Sequence, residues 1–181
     1  MRLSGGGMLL PRMAVVGDLD LDEKLGAALD PLGAADIPPA CDPVARWLTL
    51  DRLIAEEREA EGMEPLPGRA RLNLAREMAR TMDRLLVEEK APEDLWADPV
   101  LDQLGNLAEH WKRAIRLFAR VNARWQVELA ERGEVDAATR RNLLFDRAAR
   151  RWRDTPPPHP IVAAGVTSSS PALARLLKVV A

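Results

Sequence analysis

Apolar residues recur every three or four positions over most of this chain, which is the spacing of one face of an α-helix. Asp42-Pro43 and Asp136 are residue types that begin helices, and Gly62 and Gly133 are typical of helix ends. The four predicted helices cover residues 42–61, 67–86, 100–132 and 136–153. The third has the longest uninterrupted apolar stripe.

Two short apolar runs near the ends of the chain break this pattern. Leu9–Val16 is followed by Gly17-Asp18, and Ile161–Val166 is followed by a turn and a last helix at 171–180. Such runs are typical of buried strands, and a strand needs neighbours for its backbone hydrogen bonds. We therefore predict a mostly α protein with a minor α/β part, in which a helical insertion separates strands of one incomplete parallel sheet.

The predicted organisation has three parts. A strand and an acidic loop, with one weak helical turn at 22–28, cover residues 1–40, and the helical insertion covers residues 41–155. Residues 156–181 return the chain to the sheet as a proline linker, a strand, a turn and a helix. Pro156-Pro157-Pro158 forces the linker to be extended, because proline cannot donate to a helix.

Composition narrows the class of protein. A chain of 181 residues with 47% hydrophobic content is long enough for one domain with its own core. Its single cysteine, Cys41, excludes an internal disulfide, and we interpret it as an inert packing residue. No apolar run approaches the roughly 20 residues that cross a bilayer. We expect a cytoplasmic protein with no membrane contact.

Charge is unevenly placed although the net charge is only -2. Acidic residues crowd 18–36 and 56–64, whereas 112–124 and 140–153 are rich in arginine and lysine. A basic helix face can bind DNA phosphates without sequence preference, or it can pair with the acidic segments. The candidate DNA-binding residues are Arg140, Arg141, Arg147, Arg150, Arg151, Lys112 and Arg116.

The turn before the last helix is a second candidate site, because backbone N–H groups at a helix start attract anions. The possible phosphate-contacting residues are Gly165, Thr167, Ser168, Ser169 and Ser170. A nucleotide-binding P-loop would need a lysine directly after the glycine-rich turn, and none occurs before Lys178. A tight connection without a ligand and a phosphate-binding enzyme both remain open.

Aromatic and metal-ligating residues add little to these candidates. Four tryptophans fall on or near apolar stripes, which predicts core packing rather than base stacking. They are Trp47, Trp111, Trp125 and Trp152. Trp96 lies in a polar, proline-flanked segment, so the sequence leaves open whether it packs in the core or contacts a ligand. Neither histidine, His110 or His159, has a partner at metal-ligand spacing, so we predict no metal site and no catalytic residue.

Several segments, in the same order along the chain, resemble landmarks of the alphaproteobacterial AddB proteins. AddB is the B subunit of the AddAB helicase-nuclease, which processes double-strand breaks. The similar segments are 9–12 with 17–18, 48–57, 66–70, 108–111, 129–133, 140–142, and 157–165 with Thr167, Ser169 and 171–180. The family's Gly-Ser-Thr-Gly-Ser loop stands here as Gly165-Val166-Thr167-Ser168-Ser169, so one glycine is missing.

The resemblance implies a fold, a role and partners. It implies that the predicted sheet is helicase-like (RecA-like) and that the chain is a fragment from the N-terminal part of a longer subunit. The fragment would be inactive, would contribute to DNA handling in homologous recombination, and would meet an AddA-like helicase subunit and single-stranded or duplex DNA ends. The family's nuclease, magnesium sites and iron-sulfur cluster have no counterpart here, so no cofactor is expected.

A different class of function is compatible with the same helical pattern. A stand-alone helical adaptor or scaffold would form homo-oligomers, with the two terminal strands pairing between copies. Such a protein should unfold cooperatively as a defined oligomer, whereas a fragment with unpaired strand edges should aggregate.

Overall fold

The computed structural model describes residues 36–96, 106–158, 160–166 and 169–180. These residues form five α-helices and one short 3-10 helix. The helices are α1 (Pro43–Ala60), α2 (Gly68–Val87), α3 (Asn106–Arg132), α4 (Ala137–Asp154) and α5 (Pro171–Val180), and the 3-10 helix is Pro92–Trp96. The predictions of four main helices and a last short one are therefore confirmed, apart from the start of the third, which lies outside the described residues.

The predicted sheet is wrong for the part of the chain that the structure describes, which contains no strand. Residues 160–166 are exposed along their length, and Val162 is 83% exposed. Three β-branched side chains gave this segment its strand character, but no neighbouring backbone pairs with it. The helicase-like parallel sheet is thus replaced by a helical fold. The predicted strand at 9–16 and the helical turn at 22–28 lie outside the described residues.

One isolated parallel bridge is the nearest approach to a sheet among the described residues. It pairs Ala40, just before α1, with Val135, in the link between α3 and α4. The Cys41 N–H donates to the Val135 carbonyl at 2.9 Å, and the Val135 N–H donates to the Pro39 carbonyl at 3.0 Å. These two hydrogen bonds fasten the chain entering α1 to the turn that begins α4.

Helix α1 begins and ends as its sequence predicts. Asp42 is the N-cap, and its carboxylate accepts a hydrogen bond of 2.8 Å from the Ala45 N–H, while Pro43 occupies the first helical position. Gly62 ends the helix with a φ of 66°, in the left-handed region that glycine adopts without strain. The helix is thereby bounded by local interactions before any tertiary contact is formed.

Helices α2 and α3 both pack antiparallel to α1. Asp51 binds Arg71 while the earlier Arg46 binds the later Asp83, so α1 and α2 run in opposite directions. Along α3 the order of contacts is likewise reversed, with Thr49 opposite Arg132 and Glu61 opposite Arg120. The main core lies between these three helices. Its buried residues are Cys41, Leu50, Leu53, Ile54, Ala75, Met78, Ala79, Met82, Leu117, Phe118, Val121, Trp125 and Leu129.

A buried polar cluster joins four of the helices at one end of this core. Asp136 is 1% exposed, and its carboxylate accepts hydrogen bonds from Trp125 Nε1 at 2.9 Å and Gln126 Nε2 at 3.2 Å. The guanidinium of Arg46 places Nε 3.1 Å from the same carboxylate and Nη1 2.7 Å from Asp83. Asp136 stands at the N-cap position of α4, as predicted, but its side chain binds this cluster instead of capping.

A second, smaller core holds α5 against α4. Its buried residues are Phe145, Ala148, Ala149, Ala172, Leu173 and Leu176, with Trp152, Leu177 and Val179 packed beside them. Arg175 fastens the outer side of this pair, because it binds both Asp146 of α4 and Glu89 at the end of α2. Glu89 has a φ of 54°, an uncommon conformation for a residue other than glycine. The hydrogen bond that Arg175 donates to its side chain lowers the pKa of the Glu89 carboxyl group.

The first prediction concerns the buried cluster. Asp136→Ala should lower the free energy of unfolding by about 3–5 kcal/mol, because it leaves a buried guanidinium short of a partner and the Trp125 N–H unpaired. The free energy is measured by urea unfolding monitored by circular dichroism.

The matched control is Asp51→Ala. Asp51 is half-buried on α1, and its carboxylate accepts two hydrogen bonds from Arg71. The substitution should cost no more than about 1 kcal/mol, because water replaces the lost partner. Equal losses in the two variants would contradict the structural role given to Asp136.

The second prediction concerns Cys41, which is 6% exposed. Burial, reinforced by nearby Asp136, raises the pKa of its thiol from 9.0 to about 11. At pH ~8 this shift alone lowers the reactive thiolate fraction about 100-fold, so native protein should react with iodoacetamide at least that much more slowly than unfolded protein.

The same shift gives a pH dependence of known sign. The native state keeps the thiol proton to higher pH than the unfolded chain does, so the free energy of unfolding should fall as pH rises from about 9 towards 11.

Mass spectrometry of alkylated Cys41 measures the rate of its reaction with iodoacetamide. Equal rates for native and unfolded protein would show that the Cys41–Val135 contact does not close this site.

Candidate nucleic-acid interface

A groove between the last turns of α4 and helix α5 carries the clearest concentration of positive charge. Its volume is about 760 Å³. We call it the α4–α5 groove, and its lining residues are Asp146, Ala149, Arg150, Trp152, Arg153, Pro156, Arg175, Lys178 and Val179. Four of these nine residues are cationic and one is acidic, so the groove favours an anionic ligand.

The single acid of the groove is already neutralised. Asp146 accepts hydrogen bonds from Arg175 at 2.7 and 2.9 Å, and Glu89 binds the same guanidinium. Arg175 donates hydrogen bonds to both carboxylates, and these bonds, those to Glu89 first, raise its pKa, so this residue is committed to holding α5. Arg150, Arg153 and Lys178 form no ion pair with any other described residue, which leaves them to act on a ligand.

Two of the predicted DNA-binding arginines of α4 instead hold the chain that enters α1. Arg140 donates from Nη1 to the carbonyls of Ile37 and Pro38, the former at 2.7 Å. Arg147 forms an ion pair with Asp36, and its hydrogen bond lowers the pKa of that carboxyl group. Both side chains therefore have structural partners far away in the sequence.

Two further predicted residues are turned inward. Arg141 is 5% exposed, lies over the Phe145 ring at 5.8 Å, and has a lowered pKa because of burial. Arg151 is half-buried, and its Nη1 atom is buried without a hydrogen-bond partner among the described residues. Of the five α4 residues predicted to bind DNA, Arg150 is the one that lines the α4–α5 groove.

The basic face of α3 is divided between pairing and exposure. Its second half pairs with α1 in an ion-pair ladder, as the alternative of pairing with acidic segments predicts. The ladder contains Arg52, Glu56, Glu57, Glu61, Arg120, Arg124, Glu128 and Arg132. Arg52 donates hydrogen bonds to Glu56 and Glu128, and this lowers the pKa of both carboxyl groups. A smaller contribution comes from Arg124 at Glu56 and from Arg132 at Glu128. These α3 arginines serve the packing of helices.

The first half of the described α3 surface is different. Arg113 and Arg116 are exposed, Lys112 is half-buried, and Arg116 Nε lies 3.4 Å from the Lys112 carbonyl. Trp111 beside them is 48% exposed. The prediction that Trp111 packs in the core is therefore wrong, whereas Trp125 is fully buried and Trp47 and Trp152 pack against the two cores. The side chain of Trp96 lies outside the described residues.

The predicted phosphate loop is only partly described. Gly165 is exposed with a φ of 69°, and Ser169 is exposed. The Ser170 carbonyl accepts from the Ala174 N–H at 2.8 Å, which is the first turn of α5. Thr167 and Ser168 lie outside the described residues, so this loop stays a prediction.

The complete groove could not be predicted from the sequence. Arg153, Lys178 and Trp152 were absent from the candidate set, because only the packing of α5 on α4 brings them together with Arg150. A signal was present in the spacing: Arg150 and Arg153, and likewise Arg175 and Lys178, are three residues apart and share a helix face.

The described residues form neither a metal-binding cluster nor a membrane-spanning helix. No group of three or more histidine, cysteine, aspartate or glutamate residues in this part of the chain could hold a metal ion. None of the helices described combines the length and apolar character needed to span a bilayer.

Comparison with known proteins identifies no relative: no family model, no curated protein and no solved structure matches this chain.

Proposed function

We propose that this chain is a non-catalytic DNA-binding region of an AddB-like subunit, which helps a helicase-nuclease complex hold DNA ends during double-strand break repair. The sequence landmarks that resemble AddB support the choice of complex. The basic groove supports the binding of DNA. The proposal does not carry over the family's sheet, which the described helices contradict.

The observation that carries the proposal is the contrast between the α4–α5 groove and the rest of the basic surface on α4. Arg140, Arg147 and Arg175 bind chain carbonyls or carboxylates, so their charge is used within the fold. Arg150, Arg153 and Lys178 converge on one groove in which the only acid is already paired. A protein with a net charge of -2 thus presents a local site of opposite sign.

Such a site fits the phosphate backbone of DNA. Arginine and lysine that replace counterions along the backbone give binding that depends on salt and not on base sequence. The affinity expected of a few such contacts lies in the non-specific range, with Kd values of about 10⁻⁴ to 10⁻⁶ M at physiological salt. Within a larger complex, a contact of this strength would position DNA without trapping it.

The partner proposed on the same resemblance is an AddA-like helicase subunit. This chain would add DNA contacts to that motor, and the proposal assigns it no reaction of its own. A homo-oligomeric helical adaptor is the alternative. Analytical ultracentrifugation separates the two, because an adaptor should form a defined oligomer without DNA.

The third prediction tests the groove. The triple variant Arg150→Gln, Arg153→Gln and Lys178→Gln should weaken binding to a fluorescein-labelled 20-mer at least about 10-fold, because three phosphate contacts are lost. Fluorescence anisotropy at low salt, about 50 mM NaCl, measures the dissociation constant.

A control with the same loss of charge uses exposed cations outside the groove, in the variant Arg69→Gln, Arg80→Gln and Lys90→Gln. It should change the dissociation constant by less than about 3-fold, because salt screens charges that do not contact the bound strand. Equal effects of the two triple variants would contradict the groove as the binding site. No DNA binding by the unmodified chain would contradict the proposed function.

A further inference from the structure

We infer that the α4–α5 groove takes a single strand of DNA and that Trp152 is the residue against which it holds a base. The inference rests on the proposed function, because it specifies which form of DNA the groove binds and through which side chain. It makes Trp152 the residue that distinguishes single-stranded from duplex DNA.

The groove combines two kinds of surface. Besides its charged residues it is lined by four apolar ones, which are Ala149, Trp152, Pro156 and Val179. Contacts to phosphates need only cations and hydrogen-bond donors, whereas an apolar wall gains free energy when a ligand covers it and removes it from water. The groove therefore suits a ligand that is anionic on one side and apolar on the other, which is the character of a nucleotide.

Trp152 is the largest of these apolar residues. It packs against the smaller core, but it is only half-buried, and it also lines the groove. Because the core already holds part of the side chain, little rotamer freedom is left to lose when a base packs against the indole. The fold thus supplies a positioned aromatic surface at the cationic groove.

The cations and the indole lie on different sides of the groove. At about 100° per residue, Arg153 lies about 100° and Arg150 about 160° round α4 from Trp152, and Lys178 comes from α5. In a nucleotide the phosphate and the base likewise project in different directions from the sugar. The cations can therefore hold the backbone while a base reaches the indole, and sites for single strands combine charge with aromatic rings in this way.

A duplex cannot use the apolar part of the groove. Its bases cover each other, and a base face becomes accessible only when a step is unstacked or a base is turned out of the helix, which costs free energy. Charge alone would favour the duplex, because it carries about twice as many phosphates per unit length as one strand. Tighter binding of a single strand than of a duplex of equal length is thus evidence of a base contact.

The fourth prediction tests this contact in the full chain, which should bind a 20-residue oligo-dT more tightly than a 20-base-pair duplex. Trp152→Leu keeps an apolar side chain on the core but removes the aromatic surface. It should weaken oligo-dT binding at least about 5-fold, the low end of the contribution of one stacked base, and change duplex binding less than about 2-fold. Trp152→Phe should recover most of the affinity for oligo-dT. Fluorescence anisotropy at about 50 mM NaCl measures the dissociation constants.

The matched control is Trp47→Leu. Trp47 is also half-buried, but it packs against the main core and does not line the groove. This variant should change both dissociation constants by less than about 2-fold, because it leaves the base contact in place. Urea unfolding of each variant checks that the fold is kept.

A second measurement uses the unmodified chain and provides the test if Trp152→Leu is unstable. Oligo-dT in which 5-iodouracil replaces thymine forms a covalent bond under ultraviolet light with an aromatic side chain that contacts the base. Mass spectrometry of the digested product should find the bond at Trp152. Bonds that map only to other residues, or none, overturn the inference.

The outcomes separate this inference from the function on which it rests. Unchanged oligo-dT binding in Trp152→Leu, an equal loss for oligo-dT and duplex, or tighter binding of the duplex by the unmodified chain overturns the base contact. If the groove variant at Arg150, Arg153 and Lys178 still loses binding in that case, the proposed function stands without it. Failure of the unmodified chain to bind either DNA overturns both proposals.

Discussion

The rest of the structure depends on the buried carboxylate of Asp136. It stands where α4 begins, yet it binds the indole of Trp125 on α3 and lies beside the guanidinium of Arg46 on α1. Through Arg46 it is linked to Asp83 and the Ala79 carbonyl on α2. Four helices therefore meet at one charged cluster. A buried charge is stable only when its partners are in place, so this cluster also fixes how the helices pack against each other.

The direction of α4 has consequences for the basic surface. The start of α4 is set by Asp136 and by the backbone bridge between Ala40 and Val135, and its far end carries α5 through the smaller apolar core. Arginines near the start of α4 are used to hold the chain before α1, whereas those near its end face the α4–α5 groove. On α3 the division is the reverse: late cations pair with α1, whereas Arg113 and Arg116 nearer its start are exposed. Arg150, Arg153 and Lys178 of the groove thus differ from the α4 arginines that the fold uses for its own packing.

The helices could be predicted from the sequence because their determinants are local. Caps such as Asp42-Pro43, terminators such as Gly62 and Gly133, and apolar residues at three- and four-residue spacing lie within a few turns of one another. The strand at 161–166 was predicted wrongly for the opposite reason. Its β-branched residues favour extended backbone, but a strand exists only where a second segment pairs with it, and that partner is not visible in local sequence.

The candidate site could be predicted only in part for a similar reason. Runs of arginine mark α3 and α4 as basic, but the ion pair between Arg147 and Asp36 joins residues that are 111 positions apart. Which arginines are used inside the fold is therefore set by tertiary packing. Likewise, helical periodicity placed Trp111 on the apolar stripe of α3, but a stripe is buried only as far as a neighbouring helix covers it.

The central claim is that Arg150, Arg153 and Lys178 of the α4–α5 groove bind DNA phosphates. The most direct measurement is the dissociation constant for oligo-dT as a function of NaCl concentration, between about 50 and about 200 mM. If these three cations contact phosphates, the logarithm of the association constant should fall with the logarithm of salt concentration with a slope of about -2. A slope near zero would contradict the claim, because it would mean that any binding does not involve these cations.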